Sequence, residues 1–291
     1  MGTSKAYGGP ASGLVPSFVD DPTPPAMPVP EVSPPTAPQP TTQPIDPMTT
    51  VAPVLQPAPQ HSDMTGGGAL GSARGSFTRF VRTGSTSSLG GAVARYVRNG
   101  TGGAARASRR MGASRSAARG LLGMVRDVQR IGAAEALRRL NLEGMAGQPA
   151  TNVFVSLLEF ICPPGGTVDE GVARQAMLEA IGDLADADVG NFDTLTREQL
   201  QDFFLDFVVR SIEGRVMADI GKRGINLPDD VSAVQDTQDQ LHDFVEGATR
   251  GQLAGRLTGL ENLSDQELDT VVTQIYETAF ELVAAAGEAA T

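Results

Sequence analysis

Apolar positions recur with helical spacing through the second half of the chain. After Thr196, the residues Leu200, Phe203, Phe204, Phe207, Val208, Ile212, Val216 and Ile220 keep i, i+3/i+4, i+7/i+8 spacing for about six turns. After Ser264, the residues Leu268, Val271, Val272, Ile275, Ala279 and Val283 do the same. Three segments open on a capping box, in which a Ser/Thr hydroxyl and a Glu/Gln side chain three residues later satisfy each other's free backbone N–H. These are Thr167-x-x-Glu170, Thr196-x-x-Gln199 and Ser264-x-x-Glu267. Segments 150–161 and 229–250 predict further helices, and the former (VFVSLLEFI) is apolar enough to predict burial all round. No segment alternates with the two-residue period of a strand. The pattern predicts an all-α fold, a bundle of about five or six helices with its core formed from roughly residue 133 to 286.

Upstream the apolar positions shrink to islands, SFTRFVRTG, AVARYVRNG and AARGLLGMVRDVQR, each short and the first two ending in Gly or Asn-Gly. They predict short arginine-rich helices near 72–82 and 88–98 and a longer one near 113–131, followed by a helix in AAEALRRLNL at 133–142. On the longer helix, at 100° per residue, Arg115, Arg119, Arg126 and Arg130 fall within an arc of about 60°. Leu121, Met124, Val125 and Val128 take the other side. That wheel predicts one packing face and an opposite face displaying guanidinium groups.

Composition separates the N-terminal part further. Of 20 prolines, 16 lie in the first 60 residues. The run DDPTPPAMPVPEVSPPTAPQPTTQP holds too little apolar surface to offset its ordering entropy. Residues 1–68 are therefore expected to be a disordered, proline-rich tail of semi-extended character, either a plain spacer or a PxxP docking ligand. The expected division is this tail, an Arg/Gly-rich segment with short helices over 69–132, and an acidic all-α domain over 133–291. Charge follows the same division. Residues 74–139 carry 14 arginines, no lysine and two acids, whereas residues 140–291 carry 27 acids against 8 bases, so the net charge of −11 conceals a concentrated basic segment. A single cysteine excludes a disulfide framework and any multi-cysteine metal site. No apolar stretch approaches the ~20 residues that cross a bilayer. The start MGTSKAYGGP lacks the basic-then-apolar pattern of a signal peptide, so the expected location is the cytoplasm, without membrane insertion.

Catalytic chemistry finds little to work with. Of two histidines, His61 lies in the tail, and His242 sits among Asp239, Asp243 and Glu246 on what reads as a solvated helix face. Cys162 precedes Pro163-Pro164-Gly165-Gly166, and no residue near it in sequence would lower its pKa to make it a nucleophile. The stretch Gly100–Arg106 has glycines but no preceding strand, so it is no dinucleotide fingerprint. The two lysines, Lys5 and Lys222, end no phosphate loop, and Asp183, Asp186, Asp188 and Asp193 lack the ligand spacing of an EF-hand. The chain is expected not to be an enzyme and to need no cofactor or metal.

Two features remain. Arginine without lysine favours bidentate contacts to phosphate or carboxylate. Arg95, Arg98, Arg106, Arg109, Arg110, Arg115, Arg119, Arg126 and Arg130 are the candidate contacts to a partner or to nucleic acid. What they would bind stays open: a nucleic-acid backbone, an acidic protein partner, the chain's own acidic half, or an anionic membrane surface. The second feature is Met1-Gly2. Removal of the initiator methionine would leave Gly2 with an unhindered α-amine, while Ala6 breaks the myristoylation pattern.

The strings MGTSKAYGGP, RYVRNGTGGAARASRRMGASRSAARGLLG, EALRRLNLEGMAGQPA and ICPPGGTVDEGVAR together resemble the QatB family of the Qat anti-phage system. The resemblance covers the terminus and roughly residues 74–180; the acidic C-terminal helices are similar mainly in type. It implies a bacterial defence operon whose other products are an ATPase, a QueC-like enzyme and a TatD-like DNase. It also implies a non-enzymatic scaffold or adaptor subunit, with Gly2 as the acceptor of a modification made by the QueC-like partner. The alternative function is a nucleic-acid-binding subunit that uses its arginine-rich segment to deliver DNA to the partner nuclease.

Overall fold

The computed structural model describes residues 69–221 and 231–291. The expected tail, with Gly2, Lys5 and His61, and residues 222–230 with Lys222 lie outside the described residues. Ten α-helices are found among the described residues: α1 (Gly71–Thr83), α2 (Thr86–Arg95), α3 (Ala104–Arg109), α4 (Gly112–Ile131), α5 (Ala133–Arg138), α6 (Ala150–Ile161), α7 (Val168–Asp186), α8 (Arg197–Gly221), α9 (Val231–Ala254) and α10 (Asp265–Ala289). The fold is all-α, and the nearest approach to a sheet in these residues is an isolated bridge between Pro149 and Asn191. From residue 133 on there are six helices, α5 to α10, as the periodicity predicts. The short α3, hidden in a Gly/Ala/Arg run without apolar periodicity, was not predicted.

The three capping boxes form as their spacing requires. The Thr167 hydroxyl accepts from the Glu170 N–H while Thr167 N–H donates to the Glu170 carboxylate, and Ser264 and Glu267 repeat this at the start of α10. Thr196 N–H donates to Gln199 Oε1 at 2.8 Å and Gln199 N–H to Thr196 Oγ1 at 3.2 Å at the start of α8. Backbone N–H groups in a first turn have no helical partner, so these reciprocal bonds satisfy donors that would otherwise be orphaned.

Helix α8 is the centre of the bundle. It packs against α7, α9, α4 and α1, and consecutive residues Phe203, Phe204, Leu205 and Phe207, Val208, Val209 are all buried. Apolar residues on every side of its middle turns leave that stretch little solvent side, and four neighbours cover it. One hydrophobic cluster runs from Leu70 to Ala284. The core therefore begins some sixty residues before the expected position near 133. Phe77, Phe80, Leu89, Val93, Tyr96 and Val97 of the arginine-rich islands are all fully buried in it. Short islands looked too small to form a core of their own. They need none, because α10 supplies the opposite surface through its packing on α2, α3 and α4.

A close helix crossing explains two glycines. At the contact of α2 with α10, a Cβ built on Gly287 would fall inside contact distance of the Gly90 carbonyl oxygen and 3.0 Å from the Ala94 Cβ. Only hydrogen fits there, so the two backbones touch. The apolar helix α6 departs from expectation: Val153, Phe154, Leu157 and Leu158 are buried, but Val155 and Phe160 are exposed. With Ser156 and Glu159 as the polar residues of this run, the sequence marks only weakly which side of the helix its neighbours leave open.

Candidate functional site

The arginine block and the acidic half meet along α4 and α10, which run antiparallel. Arg115 donates to Thr273 Oγ1 at 2.8 Å. One turn along, Arg119 lies 3.8 Å from Asp269. Farther along, Arg126 donates to Asp265 Oδ1 at 2.7 Å, to the Leu263 carbonyl at 3.2 Å and to Asp127 Oδ1 at 2.9 Å. Arg126 is only 8% exposed. The arc of Arg115, Arg119 and Arg126 was expected to display its guanidinium groups to solvent; it faces α10 instead. A helical wheel gives the direction of a side chain but not what lies across from it. Asp265 is in the first turn of α10, where the helix dipole also favours a carboxylate. The hydrogen bond from Arg126 holds its pKa below the usual range.

A second set of contacts joins the start of the arginine block to the end of α8. Asp219, 4% exposed, accepts from the Tyr96 hydroxyl at 3.1 Å and from Arg215 Nε at 3.2 Å, and Arg110 approaches to 3.9 Å. Burial, first, and the Asp219 charge, second, push the Tyr96 phenol well above its ordinary pKa, so it stays a donor. Arg74 donates to the backbone carbonyls of Ile220 and Asp219, both at 3.1 Å, satisfying acceptors at the C-terminal end of α8. At the N-terminus of α4, the Asp169 carboxylate of α7 accepts from the Ala113 N–H and from Ser114 Oγ, the latter at 3.2 Å. Arg98 grips Glu288 near the end of α10 in a bidentate pair at 2.8 and 3.1 Å.

The nine candidate arginines therefore divide. Arg98, Arg110, Arg119 and Arg126 pair with carboxylates of the acidic half, and Arg130 pairs with Asp127 of its own helix. Arg95 bonds the Ser76 hydroxyl and the Gly91 carbonyl, and Arg115 bonds Thr273. Only Arg106 and Arg109, on the exposed side of α3, make no ion pair or side-chain hydrogen bond among the described residues. Arg79 and Arg82 of α1, which were not among the candidates, are exposed and equally without such a partner among the described residues. A sequence count of charge cannot separate these four from the paired majority.

The candidate catalytic groups are held in structural roles. Cys162 is buried, its thiol donating toward the Ala173 carbonyl at 3.7 Å. Burial pushes its pKa up to about 12, against the weaker opposing pull of Arg174. His242 is not on a free solvated face: its Nδ1 lies 3.2 Å from the Glu213 carboxylate on α8, and that bond raises its pKa. Beside it Arg210 pairs with Glu179, Asp183 and Asp206. Burial raises the Asp206 pKa, with Arg210 pulling the other way. No group of three His, Cys, Asp or Glu side chains among the described residues could hold a metal ion. No described helix is long and apolar enough to cross a membrane.

A cleft of about 510 Å³ opens beside the α4–α10 contact. Its floor is α4 at Gly120 and Gly123, where missing side chains leave room. Its walls are α5, the end of α6 and the start of α10, with Leu140, Phe160, Ile161 and Leu268 as apolar lining and Arg119, Arg139 and Asp265 at the rim.

Neither a curated protein nor a solved structure matches the chain. The model of one protein family, described as Qat anti-phage system associated protein QatB, matches residues 102–283. That span takes in α4 with its arginines, the central α8 and most of α10, and so includes the acidic helices that the sequence strings resembled only in type. Because the match covers well over half of the chain, including the contact of α4 with α10, the chain belongs to the QatB family of Qat anti-phage system associated proteins.

Proposed function

We propose that this chain serves the Qat anti-phage system as a non-enzymatic scaffold or adaptor. On this reading it is also a protein substrate, modified at Gly2 by a QueC-like partner. One observation carries the scaffold reading. The side chains that could have done chemistry or bound charge instead tie distant parts of the chain into one helical body, as in the pairs Arg126–Asp265, Arg98–Glu288 and Tyr96–Asp219. A rigid body of this kind suits the task of holding other subunits, and the ATPase, the QueC-like enzyme and the TatD-like DNase are its proposed partners in the cytoplasm. Gly2 comes from the family resemblance and lies outside the described residues. The test is intact-mass and peptide mapping of the chain co-expressed with the other Qat components. The expected result is an added mass on the Gly2 peptide, together with co-purification of at least one component. An unmodified Gly2 refutes the substrate role, and a chain that co-purifies with none of them refutes the scaffold role.

The exposed Arg79, Arg82, Arg106 and Arg109 favour a second reading, in which these residues contact a nucleic-acid backbone and bring DNA to the nuclease. Phosphate contacts through four arginines would give a logarithmic salt slope of roughly −3 to −4. Absence of DNA and RNA retention at low salt refutes this reading.

A further inference from the structure

We propose that Arg79, Arg82, Arg106 and Arg109 hold the phosphate backbone of duplex DNA, a proposal that rests on the second reading above. Folding has removed the other groups that a ligand of this segment would use. Phe77, Phe80 and Tyr96, the aromatic residues of the arginine-rich islands, are at most 1% exposed. The large apolar side chains that stay exposed among the described residues are Val155, Phe160, Val168 and Leu178, all on α6 and α7. The surface of α1, α2 and α3 is therefore left mainly with arginines, hydroxyl groups and small residues. The sequence from 64 to 126 contains no Asp or Glu, so these helices add no carboxylate that would repel a phosphate. Helices α1 and α3 both pack on the wide helical turn Tyr96–Gly100 that continues α2. Arg98 of that turn holds Glu288 of α10.

These side chains separate the ligands that four exposed arginines could take. A protein interface has a desolvated apolar centre around which its charges form a rim, and α1 to α3 expose no large apolar side chain to build one. An anionic membrane holds a peripheral protein by inserted apolar side chains as well as by charge, and the same lack applies. A single strand is gripped by stacking its bases on aromatic rings, worth about 1–3 kcal/mol per base. Here the three rings are in the core. What remains is a ligand recognised through its phosphates, and the densest line of them wins. Duplex DNA carries one charge per roughly 1.7 Å of its axis, twice the density of one strand. Arginine suits that ligand, because its planar fork meets phosphate oxygens in bidentate geometry.

Fluorescence anisotropy of the full chain with a DNA duplex of about 20 base pairs and with its separated strands, over a series of salt concentrations, measures the preference. Four phosphate contacts give a logarithmic salt slope of about −3.6 on a duplex and about −2.8 on a single strand. Carried from molar salt down to about 50 mM, that difference makes the duplex complex roughly tenfold tighter. Arg79→Gln with Arg82→Gln, and Arg106→Gln with Arg109→Gln, remove exposed side chains that have no ion pair among the described residues. Both variants should keep the wild-type unfolding midpoint, and each should reduce the duplex slope by about 1.8. Arg138→Gln with Arg139→Gln, at exposed arginines that pair with Glu135, should leave the slope unchanged. Polyglutamate, standing in for an acidic protein, should displace the duplex only at a large excess of charge. If the single strand binds as tightly as the duplex, this proposal falls while the second reading stands; if neither form binds at low salt, both fall. Displacement of the duplex by polyglutamate at equal charge, or a fourfold arginine variant that binds like the wild type, also overturns it.

Discussion

Replacing Asp219 with alanine removes a buried carboxylate on which Tyr96, Arg215 and Arg110 converge. Arg215 is itself only 9% exposed, and its remaining carboxylate, Asp169, is 4.0 Å away and already accepts bonds from the N-terminus of α4. The alanine variant would thus leave a guanidinium with little solvent and a weak partner, and a phenol without an acceptor. Breaking a buried pair from one side costs about 3–5 kcal/mol. For a domain of this size, roughly 2–4 °C of Tm accompanies each kcal/mol, so the midpoint should fall by about 6–20 °C. Two variants separate this explanation from simple loss of volume. Tyr96→Phe deletes only the hydroxyl and should cost about 0.5–1.5 kcal/mol. The double change Arg215→Met with Asp219→Leu removes both charges and should recover most of the loss, because an apolar pair of similar volume has no desolvation to compensate. The assay is urea and thermal unfolding followed by helical circular dichroism. If Asp219→Ala unfolds cooperatively with an unchanged m-value and loses less than about 1 kcal/mol, the cluster does not join α2 and α8 as argued.

Gly287→Ala should destabilise the chain by about 1–3 kcal/mol despite alanine's better helix propensity, because its Cβ meets the Gly90 carbonyl. Gly251→Ala, in open space on α9, should stabilise by about 0.5–1 kcal/mol in the same unfolding assay. Cys162, with its pKa pushed up to about 12, should resist alkylation at pH 8 in the native chain and react readily in denaturant; rapid native labelling would contradict its burial. The His242 pKa is raised by its bond to Glu213, against burial and the nearby Arg210 charge. Its contribution is therefore full below the unfolded value of about 6.5 and is lost as pH rises through the folded value. Wild-type stability should decline over that window, and His242→Gln should remove this part of the decline in denaturation curves taken at a series of pH values.

Helices and their starts were readable because they depend on neighbours in sequence. The spacing after Thr196 and Ser264, and the three capping boxes, involve residues three or four positions apart, and the structure holds all of them. Membership of the QatB family was equally legible, in short strings of the arginine-rich region. The meaning of the arginines was not. Arg126 and Asp265 are 139 positions apart, and Arg98 and Glu288 are 190 apart. Such pairs exist only because α10 folds back along α4 and across α2. The same physics hid Phe160, since in the apolar run VFVSLLEFI only Ser156 and Glu159 are polar, and they do not tell which apolar neighbours share their side. Local chemistry determined which segments became helices and where each began. Tertiary packing alone decided which charges were neutralised within the chain, where the core started, and which apolar side chains stayed exposed. Those outcomes depend on the side chain across the contact, and no local pattern encodes it.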